Sequence, residues 1–504
     1  MKRNPWFTHP VLVLLLFVSL GAAPAAATDA AKVTVNWDKV VRVSKTTATL
    51  QVVVNPPLRR GAGIHDRVFQ ALRDLRADYV RYVPWLPYPK LGVAELDPPQ
   101  GGRTSWDFSL IDPLAIDFFE ATAGHPVIIN FSTIPQWMFK TPKPIAYPSD
   151  PNQATWDYEQ GTELRDPAMK EVGEYYGRLA SWYVKGGFSD ENGQWHGSSH
   201  HYKIDYWEVL NEVDFEHQMS PETYTALYDA VVEAVRRVSP ETKFVGLALA
   251  APTKAPKFFE YFLNHQNHKP GIPLDMVSYH FYATPTADQK PETYQFTFFD
   301  QAERFLDSVR YIESIRERLS PETRTTVDEI GAISSDDFSQ GEPGYVFKPI
   351  PADWWNLCAA VYAYLYAELA RLGIDVAGES QLVGYPTQFP SVSMVDWSSG
   401  QPNARYWALK LLRDNFGPSD KLVETGINIP YVYAQGFSIR DGKRKVLLVN
   451  KRERAVEAAL PGSAGAVVEA VDQTTGLQAP VSTRLKADSL TLAGFAVAVV
   501  TFPR

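Results

Sequence analysis

The sequence predicts an α/β protein: a (β/α)8 TIM barrel with a smaller β-sandwich domain built from both chain ends. Three observations predict it. Between residues 61 and 416, short apolar runs alternate with longer helical patterns, giving roughly eight strand–helix units in about 350 residues. Polar and charged residues end several of those apolar runs, as at the mouth of a barrel. Outside that stretch, at 32–56 and beyond Pro418, helical spacing gives way to alternating, Val-rich segments.

The elements follow in chain order. Residues 1–28 read as a secretory leader, with Lys2 and Arg3 as the charged start, the apolar core VLVLLLFVSL (11–20) and small residues offering cleavage near Ala27. That core is too short to span a bilayer, and no later segment is long and apolar enough. The expectation is a secreted or periplasmic protein with no stable membrane insertion after cleavage; an uncleaved anchor is the alternative. Residues 29–60 read as N-terminal strands of the sandwich. The barrel is expected over 61–416, with strands at 79–83, 126–132, 204–212, 242–249, 275–282, 323–331 and 375–385. Helices are expected at 110–122, 169–184, 221–239, 255–266, 301–319, 354–371 and 404–416, the third capped by Ser220. Residues 417–504 read as the C-terminal part of the sandwich, with RDGKR (440–444) as a hairpin turn. An open doubly wound sheet is the competing architecture, and the lack of a Gly-rich phosphate loop counts against its nucleotide-binding versions.

Composition narrows the class. Apolar residues make up 45% and charged residues 21%, as in ordinary globular domains. The net charge of −9, from 58 acidic and 49 basic residues, leaves no basic footprint for nucleic acid. The single cysteine, Cys358, excludes an intramolecular disulfide and reads as a core residue of an apolar helix.

The chemistry-bearing residues are the polar ones that end strand runs: Arg81, the pair Asn211–Glu212, His280 with Tyr282, and Glu329. Two glutamates on different strands of one mouth point to paired-carboxylate chemistry, whose commonest hydrolytic use is glycoside hydrolysis. One carboxylic acid protonates the leaving oxygen; the other, ionised, attacks the anomeric carbon or activates water. Carboxyl groups about 5–5.5 Å apart retain anomeric configuration, and about 6.5–9.5 Å invert it.

YWEVLNEVD (206–214) resembles the strand-four W-x-x-x-N-E signature of the clan A glycoside hydrolases. SWDFSLIDPLAIDFF (105–119) followed by PVIINFSTIPQWM (126–138), and DMVSYHFY (275–282), resemble glycoside hydrolase family 39, which includes β-xylosidases and α-L-iduronidases. The resemblance covers most of 61–416 and implies a retaining hydrolase acting on carbohydrate without a cofactor. It implies Glu212 as acid/base and Glu329 as nucleophile. Asn211 would hold the sugar 2-hydroxyl, and His280 and Tyr282 would flank the nucleophile. Arg81 would keep Glu329 ionised. The sequence departs from the family at Val83, where the xylosidase and iduronidase branches carry histidine, and in VDEIG (327–331), where they carry T-E-Y or T-E-W. Asp328 and Glu379 therefore stand as rival nucleophiles, although strand parity points Asp328 away if Glu329 faces in.

Trp137 and Trp397 are candidate sugar platforms and His65 a candidate pocket residue; each is equally a packing residue. The histidines of HGSSHHYK (196–203) have no carboxylate or cysteine at ligand spacing, so no metal is expected. Glu208 shares the parity of Glu212 and is expected one layer lower, ion-paired inside the barrel. The alternatives to an exo-acting glycosidase are an endo-acting polysaccharide hydrolase of the same clan and a non-catalytic carbohydrate-binding barrel.

Overall fold

A computed structural model describes residues 30–503 except 144–145, 157–160, 341 and 343. The expected leader lies outside the described residues. Eight parallel strands close into a barrel: β1 (Thr47–Val53), β2 (Val80–Val83), β3 (Val127–Ile129), β4 (Tyr206–Glu208), β5 (Lys243–Leu249), β6 (Met276–Ala283), β7 (Arg324–Ala332) and β8 (Val376–Glu379). The ring closes through β8 on β1, with Glu379 opposite Leu50.

One boundary differs from expectation. Strand 47–53, expected in the sandwich, is the first barrel strand, pairing Gln51 with Arg81 of β2. Its β-branched, alternating sequence satisfies either a half-buried sandwich strand or a barrel strand. Only its partners distinguish them.

The second domain is a nine-stranded sheet in which the long strand Ala31–Val43 joins strands from 421 to 501. That N-terminal strand pairs antiparallel with Lys421–Ile427 and, at its first residues, parallel with Val456–Ala459. The domain has its own core of Ala31, Val33, Val446, Leu448, Ala458, Leu490 and Ala498. So the chain ends do meet in one domain, through a single N-terminal strand.

The main core lies between the barrel and its helices, where the helical periodicity places its apolar faces. Helix Pro221–Val238 shows the local logic: Ser220 Oγ accepts the Thr223 N–H at 3.2 Å, proline opens the first turn, and Arg236 and Arg237 close the last. Helix Tyr294–Leu319 starts seven residues before the expected 301, because Gln295, Phe298 and Phe299 continue its buried face. Cys358 is buried in helix Ala352–Leu372, where burial pushes its thiol up to about 12. Among the described residues, no helix is long and apolar enough to cross a membrane.

Inside the barrel the side chains stack in layers. Ile128, Tyr206, Val245, Met276 and Val376 form an apolar floor. Above it lies a buried polar layer around Arg81 and Glu208. Strand β8 approaches β7 closely at Gly378, where an added Cβ would stand 2.8 Å from the Asp328 carbonyl oxygen and 3.1 Å from its Cα. Gly378→Ala is expected to cost about 1–3 kcal/mol by overpacking. Urea unfolding checks this, and an unchanged midpoint would show that the two strands have slack there.

Candidate active site

The chain leaves the extended ladder early on β4. The expected strand ran to Glu212, but pairing stops at Glu208, and Leu210 and Glu212 take φ of +62° and +43°. Such left-handed backbone is uncommon outside glycine and persists where the surroundings impose it. Here Asn130 Nδ2 donates to the Leu210 carbonyl at 2.9 Å, and the Glu212 N–H donates to the Ala248 carbonyl at 2.8 Å. The irregular turn lets Asn211 and Glu212, adjacent in sequence, both line one cavity.

A second irregularity works the same way on β7. Val327 pairs with Tyr279 but Glu329 pairs with His280, so Asp328 is an extra residue, a β-bulge. The parity expectation for Asp328 fails for this reason. Its carboxylate points inward, 3.1 Å from Arg81 Nε and 3.6 Å from His280 Nε2.

Arg81 organises the layer beneath the cavity. Its Nη1 donates to Glu329 Oε1 at 2.5 Å and to Gln51 Oε1 at 2.7 Å, its Nη2 to Asn211 Oδ1 at 2.6 Å, and its Nε to Glu208. Glu208 also accepts from Ser278 Oγ at 2.6 Å and Asn130 Nδ2 at 2.7 Å, which makes it the buried, ion-paired residue expected below Glu212. Burial opposes the Glu208 charge most strongly, but Arg81, Asp328 and Ser278 together outweigh it and hold the carboxyl low. Burial and the neighbouring Glu208 push Asp328 well above the usual carboxylate range.

The two glutamates at the mouth are tuned apart. His280 Nδ1 lies 2.9 Å from Glu212 Oε1 and 3.5 Å from Glu329 Oε2. One oxygen of each carboxylate and the imidazole nitrogen all lie within 4.8 Å of one another. The Tyr282 hydroxyl donates to Glu329 Oε2 at 2.6 Å. Burial works against the Glu329 charge, but His280, Arg81 and Tyr282 together hold its carboxyl below the ordinary value. Burial dominates at Glu212 and raises its carboxyl, helped by the Glu329 and Asp214 charges and opposed by His280. His280 itself is raised to about 9: burial disfavours its charge, but Glu329, Glu212 and Asp328 outweigh that. Glu212, His280 and Glu329 are also the trio whose donor atoms converge enough to share a cation. An imidazolium has no lone pair to give, so the trio is better fitted to proton and charge management.

The cavity above these groups has a volume of about 500 Å³. Its walls include Gln51, Val83, Trp85, Trp156, Glu216 and Phe389, with Phe215 and Phe338 exposed at its rim. Six of the expected site residues converge: Arg81, Asn211, Glu212, His280, Tyr282 and Glu329. Three do not. Trp137 is a packing residue, its indole N–H on the Glu95 carbonyl at 2.9 Å and Arg165 over its ring at 4.3 Å. Trp397 lies edge-on to Phe347 at 5.2 Å and lines a separate open hollow with Arg59 and Tyr385. His65 begins the helix after β1 and is held by Asp66 at 2.8 Å and Asp117 at 2.9 Å. The rival Glu379 is fully buried against Arg405 at 2.9 Å, outside the cavity, where burial raises it to about 7. His196 and His200 pair separately with Asp190 and Asp112.

Sequence reasoning missed Gln51, because its strand was placed in the other domain. It also missed Trp85, Trp156 and Glu216. The signal for Glu216 was present: a second glutamate four residues after Glu212, in a turn.

No curated protein matches the chain. Among solved structures, it is similar to a GH51 arabinofuranosidase from Xanthomonas axonopodis pv. citri, at 12% identity, TM-score 0.63, covering 94% of this chain and 100% of that one. It is similar to a family 51 α-L-arabinofuranosidase from Bifidobacterium longum, at 13% identity, TM-score 0.61, covering 94% and 99%. It is similar to a GH30 endoxylanase from Clostridium papyrosolvens C71, at 14% identity, TM-score 0.57, covering 94% and 100%. At such identities these likenesses speak for the fold. The family model for glycosyl hydrolases family 39 matches residues 25–330, more than half of the sequence, and the chain belongs to that family of O-glycosyl hydrolases.

Proposed function

We propose that the protein is a retaining glycoside hydrolase, with Glu329 as nucleophile and Glu212 as general acid and base. The observation that carries this reading is the pair itself. The two carboxylates bring oxygens within 4.8 Å of each other, and their surroundings push one toward the acid form and the other toward the anion. That closeness lies toward the retaining side of the two arrangements and fits direct attack.

In the first step a Glu329 oxygen attacks the anomeric carbon while Glu212 gives its proton to the departing oxygen. The bond to the leaving group breaks and a glycosyl ester forms. In the second step Glu212, now a carboxylate, takes a proton from water. The water oxygen bonds to the anomeric carbon, the ester breaks, and both glutamates return to their starting states. Arg81 and Tyr282 orient Glu329, and His280 holds positive charge between the two carboxylates. Asn211, with Oδ1 fixed by Arg81 and one amide hydrogen on Glu216, has its second amide hydrogen for the sugar 2-hydroxyl.

Val83 lines the cavity and offers a sugar no hydrogen bond. The sugar contact that a histidine makes in the xylosidase and iduronidase branches is therefore missing here, and the glycone is open. A screen of 4-nitrophenyl glycosides and polysaccharides identifies it, and proton NMR of the first-formed product is expected to show the anomer of the substrate. An inverted product would rule out the ester intermediate.

A further inference from the structure

Glu216 sits on the cavity wall beside Asn211, and its two oxygens have different surroundings. Oε1 accepts the Asn211 Nδ2–H at 2.9 Å and the Trp85 indole N–H at 2.7 Å. Oε2 is buried and has no hydrogen-bond partner among the described residues. Burial and the Glu212 charge, with Glu329 behind it, push this carboxyl up to about 8, against the two hydrogen bonds. At neutral pH it is mostly the acid. Because Oε1 already accepts two N–H groups, the proton belongs on Oε2, where nothing takes it.

A second orphaned polar group lies on the same wall. The Trp156 indole nitrogen is buried with no partner among the described residues, and Trp156 also lines the cavity. Trp85 ties the two together, donating to Glu216 while its ring meets that of Trp156 edge-on at 5.4 Å. Buried polar groups are seldom left unpaired, since an unmade hydrogen bond costs the full desolvation of the group. Two donors left open on one wall of a substrate cavity call for an oxygen that a ligand brings.

We infer that Glu216 is a sugar-binding and positioning residue: Oε2 and the Trp156 N–H hold one ring hydroxyl of the glycone, while Oε1 and Trp85 fix the Asn211 amide. The inference rests on the glycosidase reading of this cavity. It extends the set of groups that select the sugar beyond Asn211. It assigns the selectivity to the turn after β4, on the far side of Asn211 from Arg81.

The test uses the 4-nitrophenyl glycoside that the wild type hydrolyses fastest, together with its monodeoxy analogues at each ring hydroxyl. Glu216→Ala is expected to lower kcat/KM on the parent glycoside by about 10- to 100-fold, the range for a lost hydrogen bond in a buried site. On one monodeoxy analogue the penalty should shrink to about threefold or less, because the partner hydroxyl is already gone. Trp156→Phe should lose its penalty on that same analogue. Glu216→Gln keeps the acceptor for Asn211 and Trp85 and puts an N–H where the acid proton was. It should stay within about tenfold of the wild type. Each comparison is made within one variant across sugars, so a general loss of folded enzyme cancels. Equal penalties on every analogue, or no penalty at all, would overturn the inference. Glu329→Ala serves as control. If it is inactive while the Glu216 penalties are flat, only this inference fails; if it is as active as the wild type, the catalytic reading fails and takes the inference with it.

Discussion

Glu329→Ala is expected to abolish turnover on both activated and unactivated glycosides, by about 10⁴-fold or more, because no second group can form the glycosyl ester. The rivals cannot take over. Asp328 is held inward by the bulge, against Arg81 and His280 and beneath the cavity, where burial and Glu208 raise its carboxyl. Glu379 is committed to Arg405. The variant should still fold, since Arg81 keeps Glu208 and its bonds to Gln51 and Asn211. Added azide should enter the space left by the carboxylate and attack the anomeric carbon from that face, giving a glycosyl azide of inverted configuration. Substantial residual hydrolysis by a folded Glu329→Ala protein would sink the assignment.

Glu212→Ala should produce the complementary pattern. An acid matters when the leaving oxygen is basic, so unactivated glycosides should lose about 10²–10⁴-fold. A 2,4-dinitrophenyl glycoside leaves without protonation, so its ester should form at near wild-type rate and then accumulate, visible as a burst. Azide should relieve the block from the opposite face and give a glycosyl azide of retained configuration. The pH profile supplies an independent check. In the wild type, kcat/KM should fall on the acid side as Glu329 protonates, below the ordinary carboxylate range. On the alkaline side it should fall as Glu212 loses its proton, above that range. His280, raised to about 9, stays protonated across this window. Glu212→Ala should remove the alkaline limb and leave the acid limb. Equal inactivity on both substrates, with no azide rescue, would reverse or refute the two roles.

Much of this site was legible in the sequence because each residue ends an apolar run. Arg81, Glu212, His280 and Glu329 interrupt or end apolar strand runs, and paired carboxylates on separate strands narrow the chemistry. The illegible part depended on neighbours distant in the chain. His65 and Trp137 are chemically suited to a sugar site, but Asp117 and the Glu95 carbonyl hold them elsewhere. Glu216 was not singled out at all, because only the fold sets Asn211 and Trp85 against one of its oxygens and leaves the other without a partner among the described residues.

The sequence by itself determined the barrel, the order of most of its elements and the two glutamates, because hydrophobic period and strand-end polarity are local properties. Tertiary structure decided three things. It placed strand 47–53 in the barrel and so brought Gln51 to Arg81, which only pairing partners can settle. It turned Asp328 inward through a bulge that no alternation pattern records, since an extra residue is defined against the strand beside it. And it set the Glu212 and Glu329 carboxyls apart, one raised and one lowered, because burial and the shared reach of His280, Arg81 and Tyr282 are sums over residues far apart in the chain.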